Sequence, residues 1–371
     1  MQNLASFYIY PALLAGCVSL AVALLLVFTQ HWHGHLSMDS TVGVQKFHTQ
    51  PTPRIGGIAI ATGVLTGYAL SQPLCKSLLW PLLLASIPAL GFGLLEDLTK
   101  SVSVRTRLLA TMASGVLGWA ITGFSITNAD VPGLNYLLTF TALSVAFTAF
   151  AVGGVANAIN IIDGFNGLAA GTVVIILSSL GVMATAVGDA NLALVCLILA
   201  GAVIGFGMVN WPLGKIFLGD GGAYFVGFAI AWVAVLMLAR HPEISAWAPM
   251  LVCGYPILEV LFSIVRRSRR GLSAGDADRL HLHSLVNRRL VRRLLPQASN
   301  LGRNSATGVI MWVAATLPAV IAVSWPTHSH LLVLAYVVCA MLYSAVYARL
   351  TQFRWCYRAT TLRGSGKSMS F

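Results

Sequence analysis

Long apolar runs recur along the whole chain, separated by short stretches that are polar or rich in Gly and Pro. A membrane-spanning helix needs roughly 20 mostly apolar residues, and about 11 of the runs are long enough. We therefore predict an all-α fold, a polytopic transmembrane helical bundle. The predicted spans are 6–28, 55–72, 78–95, 107–124, 136–156, 167–187, 191–210, 222–239, 247–265, 306–325 and 331–349.

The positions of Lys and Arg predict the orientation of this bundle. If the N-terminus lies outside, 21 of the 23 Lys and Arg residues fall on the inner side, and only Lys76 and Arg240 fall outside. Basic residues collect in the cytoplasmic loops of membrane proteins. We therefore predict a periplasmic N-terminus, a cytoplasmic C-terminus and an odd number of spans. We interpret residues 1–350 as one transmembrane domain and 351–371 as a basic cytoplasmic tail. The predicted cytoplasmic loops are 29–54, 96–107, 157–166, 211–221 and 266–305.

Composition narrows the class of protein further. Charged residues make up 9% of the 371 positions and hydrophobic residues 57%, whereas soluble domains carry about 25% charged residues. These values exclude a soluble enzyme and a disordered chain. The net charge of +12 is explained by the cytoplasmic bases, so we expect no nucleic-acid partner. The six cysteines contain no CxxC pair, and no disulfide or zinc framework is expected.

The 11 Asp and Glu residues are the scarcer charges, and they are distributed unevenly. Eight of them lie on the predicted cytoplasmic side or at inner helix ends. Positive-inside counting does not require this second asymmetry. Acids next to apolar helix ends are costly and usually functional. Five acids occupy such positions: Glu96, Asp97, Asp163, Asp220 and Glu259.

Two cytoplasmic loops place carboxylates where a proton or a divalent cation could be bound. Glu96 and Asp97 are adjacent, which suits proton abstraction or cation binding; a solvated helix end is the alternative. Asp220 precedes Gly221 and Gly222 at a predicted helix N-terminus. A carboxylate together with exposed backbone N–H groups suits a phosphate with Mg²⁺. A helix-capping aspartate is the alternative there.

A third loop aligns polar groups along one helix face. Asn157, Asn160 and Asp163 recur every three residues at the end of a predicted span, and Asn166 continues the spacing. This spacing puts the first three on one side of a helix. Hydrogen bonds among these groups would use only part of their capacity. We therefore expect a ligand or a cation here in preference to a structural network.

The two remaining loops carry bases. Segment 46–57 contains prolines and ends in a Gly pair, so it is either a ligand-binding turn or a rigid entry into a helix. In 266–305, His281 and His283 stand two positions apart, so we expect them to point to opposite sides of a strand or helix. Contact with phosphate therefore fits them better than zinc binding. Glu259 precedes this loop and is expected to pair with one of its bases or to support the site.

Together the loops favour Mg²⁺-dependent chemistry on a phosphorylated substrate at the inner leaflet, without saying which phosphate. A transporter of an anionic substrate is an alternative, since it would also use acids and amides within the membrane. However, the sequence shows no inverted repeat, and the polar clusters lie on one membrane face. A lipid phosphotransferase of the CDP-alcohol class is a further alternative. That class needs several aspartates at helical spacing in one motif, whereas Asp163 stands with amides.

The five loops resemble, in order, the motifs of the polyprenyl-phosphate N-acetylhexosamine-1-phosphate transferases, which form glycosyltransferase family 4. This superfamily includes enzymes that initiate O-antigen, enterobacterial-common-antigen and teichoic acid synthesis, and MurNAc-pentapeptide translocase. Residues 46–57 resemble its K-x-H-x-x-P-T-P-R-x-G-G segment, and 96–97 stand at its Asp-Asp pair. Residues 157–167 resemble N-x-x-N-x-x-D-G-x-[DN]-G, 217–222 resemble F-[LM]-G-D-x-G, and 278–284 resemble D-R-x-H-[IL]-H-H.

The resemblance implies transfer of a sugar 1-phosphate from a UDP-N-acetylhexosamine to undecaprenyl phosphate, with release of UMP. This reaction would initiate an O-antigen-like cell-surface polysaccharide at the cytoplasmic face of the bacterial inner membrane. The implied cofactor is Mg²⁺, which Mn²⁺ could replace, and a homodimer is a reasonable assembly. Asp220 would be the principal metal ligand, with Asn160 nearby. Asp97 would deprotonate or position the lipid phosphate, and Glu96 and Asp163 are the other catalytic candidates.

The resemblance also implies how the substrates are bound. Arg107 would contact the lipid phosphate, Phe217 would stack on uracil, and Asn166 would help to read that base. The histidines and the arginine of the last loop would hold the sugar or the pyrophosphate. The substrate-binding candidates are Lys46, Arg107, Asn157, Asn160, Asn166, Phe217, Arg279, His281 and His283.

Three positions depart from the family pattern. Glu96 replaces the first Asp of the pair, which moves the emphasis to Asp97. Ser284 replaces the last His and removes an imidazole that could bear on sugar choice. Asn166 replaces the Asp of some branches, although an amide can still pair with uracil. The loop lacks the consecutive histidines of the MurNAc-pentapeptide enzyme, which argues against that substrate. GlcNAc, GalNAc, QuiNAc and FucNAc all stay open.

Overall fold

The computed structural model describes residues 2–39, 51–269, 271 and 280–352 of the chain. The predicted substrate-binding residues Lys46 and Arg279 lie outside these ranges. Within the ranges nearly all of the regular structure is helical, which confirms the predicted all-α class. The exception is one antiparallel pair of two-residue strands, β1 (Met38–Asp39) and β2 (Thr52–Pro53).

The helices follow the apolar runs of the sequence, because a helix satisfies its own backbone hydrogen bonds in lipid. In the first half of the chain they are α1 (Gln2–Phe28), α2 (Gln30–Ser37), α3 (Gly56–Leu70), α4 (Pro73–Ala85), α5 (Ile87–Thr99), α6 (Val104–Thr122), α7 (Pro132–Leu138) and α8 (Thr141–Ile162).

The helices of the second half continue this pattern up to the basic loop, where short turns of helix follow one another. They are α9 (Leu168–Ala186), α10 (Ala190–Asn210), α11 (Gly219–Arg240), α12 (Trp247–Val252), α13 (Gly254–Ser268), α14 (Leu282–Leu285), a π-helical turn (Val286–Val291), α15 (Arg292–Leu294), α16 (Asn300–Ser324) and α17 (Ser329–Thr351).

Among the described residues, seven helices are long and apolar enough to cross a membrane. An eighth crossing results if α4 and α5, bent by 46° at Ser86, form one broken span. The predicted spans 55–72, 107–124 and 247–265 correspond to the short helix α3, to the more polar α6 and to the pair α12–α13. The architecture is that of a polytopic helical membrane protein, while the count of about 11 spans and the orientation stay predictions.

Helix α11 forms the centre of the bundle and packs against α3, α5, α6, α8 and α9. Its Tyr224, Phe225, Phe228 and Trp232 side chains are fully buried. Glycines let the neighbouring helices approach closely, as is common where helices associate in lipid. For example, a Cβ atom on Gly93 of α5 would lie only 2.6 Å from the Cα atom of Gly221. This packing fixes the N-terminus of α11 against α5.

The segment after β2 is tied to the segment before α11 by backbone hydrogen bonds. The N–H of Phe217 donates to the carbonyl of Pro53 at 2.8 Å, and the N–H of Gly56 donates to the carbonyl of Phe217 at 3.0 Å. Gly219 adopts φ +72°, and a Cβ atom there would clash with the carbonyl of Arg54. These contacts bring Arg54 to the first turn of α11.

Candidate active site

The candidate site forms where the N-terminus of α11 meets the end of α5. Asp97 lies in the last turn of α5 and is fully buried. Its Oδ1 accepts the backbone N–H of Asp220 and its Oδ2 accepts that of Gly221, both at 2.8 Å. These N–H groups have no acceptor within the helix, and a helix N-terminus stabilises negative charge. Asp97 therefore fixes the first turn of α11, which carries Asp220.

Two arginines converge on these carboxylates. Arg54 places Nε 3.1 Å from Asp97 Oδ1 and Nη2 3.4 Å from Asp220 Oδ1. Arg107, at the start of α6, pairs through Nη1 with Asp220 Oδ2, and its guanidinium lies 5.8 Å from the ring centroid of Tyr224. The Nε of Arg107 is buried and has no hydrogen-bond partner among the described residues. That donor is available to an oxygen of a bound ligand.

The polar face of α8 meets the same end of α11. Asn160 Nδ2 donates to Asp220 Oδ1 at 2.8 Å, and the Tyr224 hydroxyl donates to Asn157 Oδ1 at 3.5 Å. The two asparagines thus share one face of their helix, as the spacing predicts, and their partners belong to α11. This contact brings a second segment of the predicted loops to Asp220.

Asp163 and Glu96 are placed differently from each other. Asp163 is the first residue after α8, where burial raises the pKa of its carboxyl to about 7 although the charge of nearby Arg54 lowers it. Glu96 Oε2 accepts the backbone N–H of Val102 at 2.7 Å and so closes the turn between α5 and α6. Adjacent helix residues point about 100° apart. The structure therefore brings Asp97 to the cluster and does not bring Glu96 there.

Phe217 and Asn166, the candidates for contact with uracil, make their hydrogen bonds to different segments of the chain. Phe217 lies directly before α11 and is bonded through its backbone to Pro53. Asn166 is buried; its N–H donates to Asn304 Oδ1 at 2.6 Å and its Nδ2 donates to the carbonyl of Pro212 at 3.2 Å. Asn166 thus joins the turn after α8 to α16 and to the segment that leads into α11.

The histidine loop is anchored by a buried acid of α13. Glu259 Oε1 lies 3.0 Å from His281 Nδ1, and Oε2 lies 3.9 Å from His283 Nδ1. The two rings stack with centroids 5.2 Å apart and planes 12° apart. The expectation that they point to opposite sides is wrong, because His281 is extended immediately before α14 while His283 lies within that helix. The expected pairing of Glu259 with a base of this loop is confirmed.

Arg54 is the residue of this cluster that sequence reasoning missed. It stands in the predicted segment 46–57, directly before an Ile and a Gly pair, but the sequence offers many bases that serve orientation alone. The signal that could have identified it is its position directly after two prolines, Pro51 and Pro53, which stiffen the segment. A Cβ atom on Gly219 would lie 2.6 Å from Asp97 Oδ2, so a glycine there is what allows the approach.

The oxygen atoms of this cluster fit a hard divalent cation such as Mg²⁺. Asp220 and Asp163 offer carboxylate oxygens and Asn160 offers an amide oxygen, which are ligands that Mg²⁺ prefers. Within the described ranges, no three or more Asp, Glu, His or Cys side chains converge as a complete metal site. Mg²⁺ is usually bound through one or two carboxylates together with substrate phosphates.

A protein-family model covers most of this cluster. The model, described as Glycosyl transferase family 4, matches residues 79–238. That range includes Asp97, Arg107, Asn160 and Asp220, whereas Arg54 and the histidine loop lie outside it.

Curated relatives match a larger share of the chain than the family model does. A Bacillus subtilis (strain 168) protein named "Probable undecaprenyl-phosphate N-acetylglucosaminyl 1-phosphate transferase" is 30% identical over 245 residues, which are 65% of this chain and 68% of the relative. The "Decaprenyl-phosphate N-acetylglucosaminephosphotransferase" of Mycolicibacterium smegmatis is 27% identical over 80% of this chain and 79% of its own length. The "Phospho-N-acetylmuramoyl-pentapeptide-transferase" of Clostridium perfringens (strain 13 / Type A) is 31% identical over 50% of this chain and 61% of its own length.

Proposed function

Because this chain belongs to glycosyl transferase family 4, we propose that it transfers an N-acetylhexosamine 1-phosphate from a UDP-sugar to undecaprenyl phosphate and releases UMP. Two of the relatives are named for a polyprenyl phosphate and for N-acetylglucosamine, which supports a GlcNAc-type donor. The observation that carries the proposal is the convergence of Arg54, Asp97, Arg107 and Asp220 at the N-terminus of α11.

The reaction is a displacement at the phosphorus that carries the sugar. An oxygen of undecaprenyl phosphate forms a new bond to this phosphorus. The bond from the phosphorus to the oxygen that bridges to UMP breaks, and its electron pair leaves with UMP. In phosphoryl transfer the protein mainly positions the reactants and neutralises their charge. The proposed site therefore needs cationic groups next to oxygen ligands, and the end of α11 offers both.

The two arginines supply positive charge for the phosphates. Arginine binds phosphate oxygens through its planar fork of N–H donors. We assign Arg107 to the lipid phosphate, which its unpartnered buried Nε supports. Both oxygens of Asp97 accept N–H donors, from Asp220, Gly221 and Arg54. That arrangement supports a positioning role for Asp97 over abstraction of a proton.

The remaining candidates are assigned to the cation and to the donor. Asp220 and Asn160 would hold Mg²⁺, with Asp163 beside them, and Mn²⁺ could replace it. The bound cation would neutralise the pyrophosphate and the charge that develops on UMP. Phe217 would stack on uracil, and Asn166 would help to read it. The residues left for the sugar and the phosphates are Lys46, Asn157, Arg279, His281 and His283.

The distribution of Lys and Arg supports a location for this chemistry. We propose that the site faces the cytoplasm at the inner leaflet of a bacterial inner membrane, because the segments that contribute Arg54, Arg107 and Asp220 lie on the base-rich side. The product would initiate an O-antigen-like polysaccharide, and a homodimer is a reasonable assembly for the protein.

The deciding experiment measures UMP release by the purified protein. UMP should form from UDP-GlcNAc only when undecaprenyl phosphate and Mg²⁺ are both present, and a panel of UDP-N-acetylhexosamines should reveal the preferred sugar. Release of no UMP from any member of the panel would contradict the proposal and favour transport of an anionic substrate.

The cation role of Asp220 has its own test. Asp220→Ala should lower turnover by more than about 100-fold, because loss of groups that hold a metal typically costs at least 10-fold to 100-fold even in the surrounding shell. Glu243→Ala is the matched control, since its side chain is 55% exposed and lies at the opposite end of α11. Normal turnover by Asp220→Ala would rule out its role as a metal ligand.

A further inference from the structure

A buried acid holds three consecutive residues of the histidine loop. Glu259 is fully buried, and a carboxylate inside a protein must be paired or hydrogen-bonded. The backbone N–H of Leu282 donates to its Oε1 at 3.1 Å and to its Oε2 at 3.2 Å. The Nδ1 atoms of His281 and His283 lie 3.0 Å from Oε1 and 3.9 Å from Oε2, respectively. One side chain of α13 therefore fixes both the backbone and the rings of this loop.

The carboxylate also decides which ring nitrogen carries a proton. An ionised carboxylate only accepts hydrogen bonds, so Nδ1 of His281 is the donor in their contact. Two hydroxyls flank the pair: Ser263 Oγ lies 3.3 Å from His281 Nδ1, and the Tyr255 hydroxyl lies 3.3 Å from His283 Nδ1. Since Nδ1 of each ring faces α13, the Nε2 side of each ring is directed away from α13. The partner of one ring nitrogen fixes what the other can do.

The Nε2 side of His283 faces the turn that follows α8. A Cβ atom on Gly164 would lie 3.3 Å from His283 Nε2. The ring of Phe165 meets the His283 ring edge-on, with centroids 5.6 Å apart. Asp163 directly precedes these two residues. His283 therefore contacts the turn that contains Asp163 through its Nε2 side, whereas Glu259 lies next to its Nδ1.

We propose that Glu259 is a positioning residue for the donor substrate. It holds Nδ1 of His281 and His283, so that the Nε2 atoms of both rings face the phosphate and sugar oxygens of the UDP-sugar. This inference rests on the proposed transferase activity and names the half of the reaction that the histidine pair serves. The acceptor half is left to Arg54, Asp97 and Arg107, whose contacts with Asp220 converge at the N-terminus of α11.

Two substitutions of Glu259 test the proposal. Glu259→Gln keeps the size of the side chain but presents an amide N–H to a ring nitrogen that now donates. Glu259→Asp keeps the charge but withdraws the oxygens by about 1.5 Å, the length of one C–C bond. For both variants the KM for UDP-sugar should rise about 10-fold to 100-fold, the usual cost of losing a residue that orients a ligand. The KM for undecaprenyl phosphate should stay within about twofold, because only the donor side is disturbed.

A binding measurement separates this role from a general structural one. Calorimetric titration of each variant with UDP-GlcNAc, without lipid acceptor, should show the same loss of affinity as the KM. Ser263→Ala is the matched control: it removes a neutral contact to the same His281 Nδ1 and should change the donor KM by less than about threefold, since the carboxylate still holds the ring. Equal losses for donor and acceptor would mean a structural defect and would overturn the proposal.

A double-mutant comparison asks whether Glu259 acts through the histidines. In a His281→Gln/His283→Gln background, adding Glu259→Gln should change the donor KM by less than about twofold, because residues that act as a unit are not additive. Full additivity would overturn the proposal. If Glu259→Gln shows no thermal unfolding transition, Glu259→Asp decides the question by the same donor and acceptor measurements.

UMP release by the wild-type protein distinguishes failure of the proposed transferase activity from failure of the inference about Glu259. If it releases no UMP from any UDP-N-acetylhexosamine, the proposed transferase activity fails, and the inference fails with it. If it is active and both Glu259 variants keep the wild-type KM for UDP-sugar, the inference alone is overturned and the transferase activity stands.

Discussion

Asp163 and Asp189 both lie at helix ends, yet their surroundings shift the pKa of the two carboxyl groups in opposite directions. Burial raises the pKa of Asp163 to about 7, and the charge of Arg54 offsets only part of this effect. Burial also raises the pKa of Asp189, but hydrogen bonds from Arg240 at 2.7 Å and His241 at 3.0 Å outweigh it and hold the pKa below its ordinary value. An ionised aspartate therefore destabilises the folded protein at position 163 and stabilises it at position 189.

Asparagine substitutions should reveal this difference in stability. The ionised form of Asp163 costs stability as the pH rises from its ordinary pKa of 3.8 to about 7. Asp163→Asn should therefore raise the Tm at pH 8 and leave it nearly unchanged at pH 4. Asp189 contributes stability above its ordinary pKa and loses it as the pH falls, so Asp189→Asn should lower the Tm at pH 8. Thermal unfolding in detergent with a chelator checks both; a lower Tm of Asp163→Asn at pH 8 would contradict the sign.

Arg54 should matter through its shape as well as its charge. Arg54→Lys keeps the charge but loses the fork that contacts Asp97 and Asp220 together. Turnover should fall about 10-fold to 100-fold, corresponding to one charged hydrogen bond of about 1.5–3 kcal/mol. Arg105→Lys is the matched control, since Arg105 is exposed at the start of α6. UMP release measures both, and equal activity of the two variants would remove Arg54 from the site.

The sequence singled out most of the cluster at the N-terminus of α11, including Arg107, but missed Arg54. Asp97, Asp220 and Asn160 could be singled out because polar groups are rare beside apolar runs and stand out there. Arg54 could not, since Lys and Arg recur in most of the polar segments between the apolar runs and one more offers no local contrast. Glu96 was selected as the neighbour of Asp97, but helix geometry turns adjacent side chains to different directions. Which of two adjacent acids faces the site depends on how the helix packs, and the local sequence pattern does not contain that information.

At the scale of elements, small residues determine how closely helices approach α11. Glycine at positions 57 and 93 brings the backbones of α3 and α5 against Gly222 and Gly221; a Cβ on Gly57 would lie 2.6 Å from the Cα of Gly222. The helices themselves were predictable from their apolar length. The break at Ser86 and the shortness of α3 were not, because a hydropathy pattern gives the length of an apolar run and not the direction of its axis.

A pair of glycines on α5 tests this packing. Gly93→Ala should destabilise the protein by about 1–3 kcal/mol, the usual cost of overpacking, and should lower turnover, because α5 carries Asp97 and must move away from α11. Gly91→Ala should leave both unchanged, since nothing lies within 4 Å of a Cβ atom there. Tm and UMP release measure the effects. Equal behaviour of the two variants would show that the close approach is not required.

At the scale of the molecule, the two ends of the bundle differ in what their acids do. At one end Asp97 and Asp220 meet two arginines. At the other end Asp130 ties loops together by accepting hydrogen bonds from the Ser245 hydroxyl and, at 3.0 Å, from that of Ser329. Acids at the first end pair with arginines of two other segments, whereas Asp130 at the second end connects one loop to the next. The predicted cytoplasmic orientation assigns the first end to the inside.

Cysteine labelling tests that orientation. In a background whose six native cysteines are replaced by Ser, Glu243→Cys should react with a membrane-impermeant maleimide in intact cells. Gln297→Cys, exposed between α15 and α16, should react only after permeabilisation. The reverse pattern would contradict the orientation, and labelling of both in intact cells would contradict the placement of these loops on opposite sides.

The cap that Asp97 forms on α11 has a consequence for how the protein is made. Asp220 follows Asp97 by 123 residues, so α5 enters the membrane well before the helix that it caps has been synthesised. An acid in that position is costly without a partner. Arg54 precedes Asp97 in the chain and contacts it in the finished protein, so this counter-charge has already been synthesised when α5 is made. The order of translation thus supplies both residues of the ion pair early. Phe217, which holds the Arg54 segment in place, and α11 come later and complete the site.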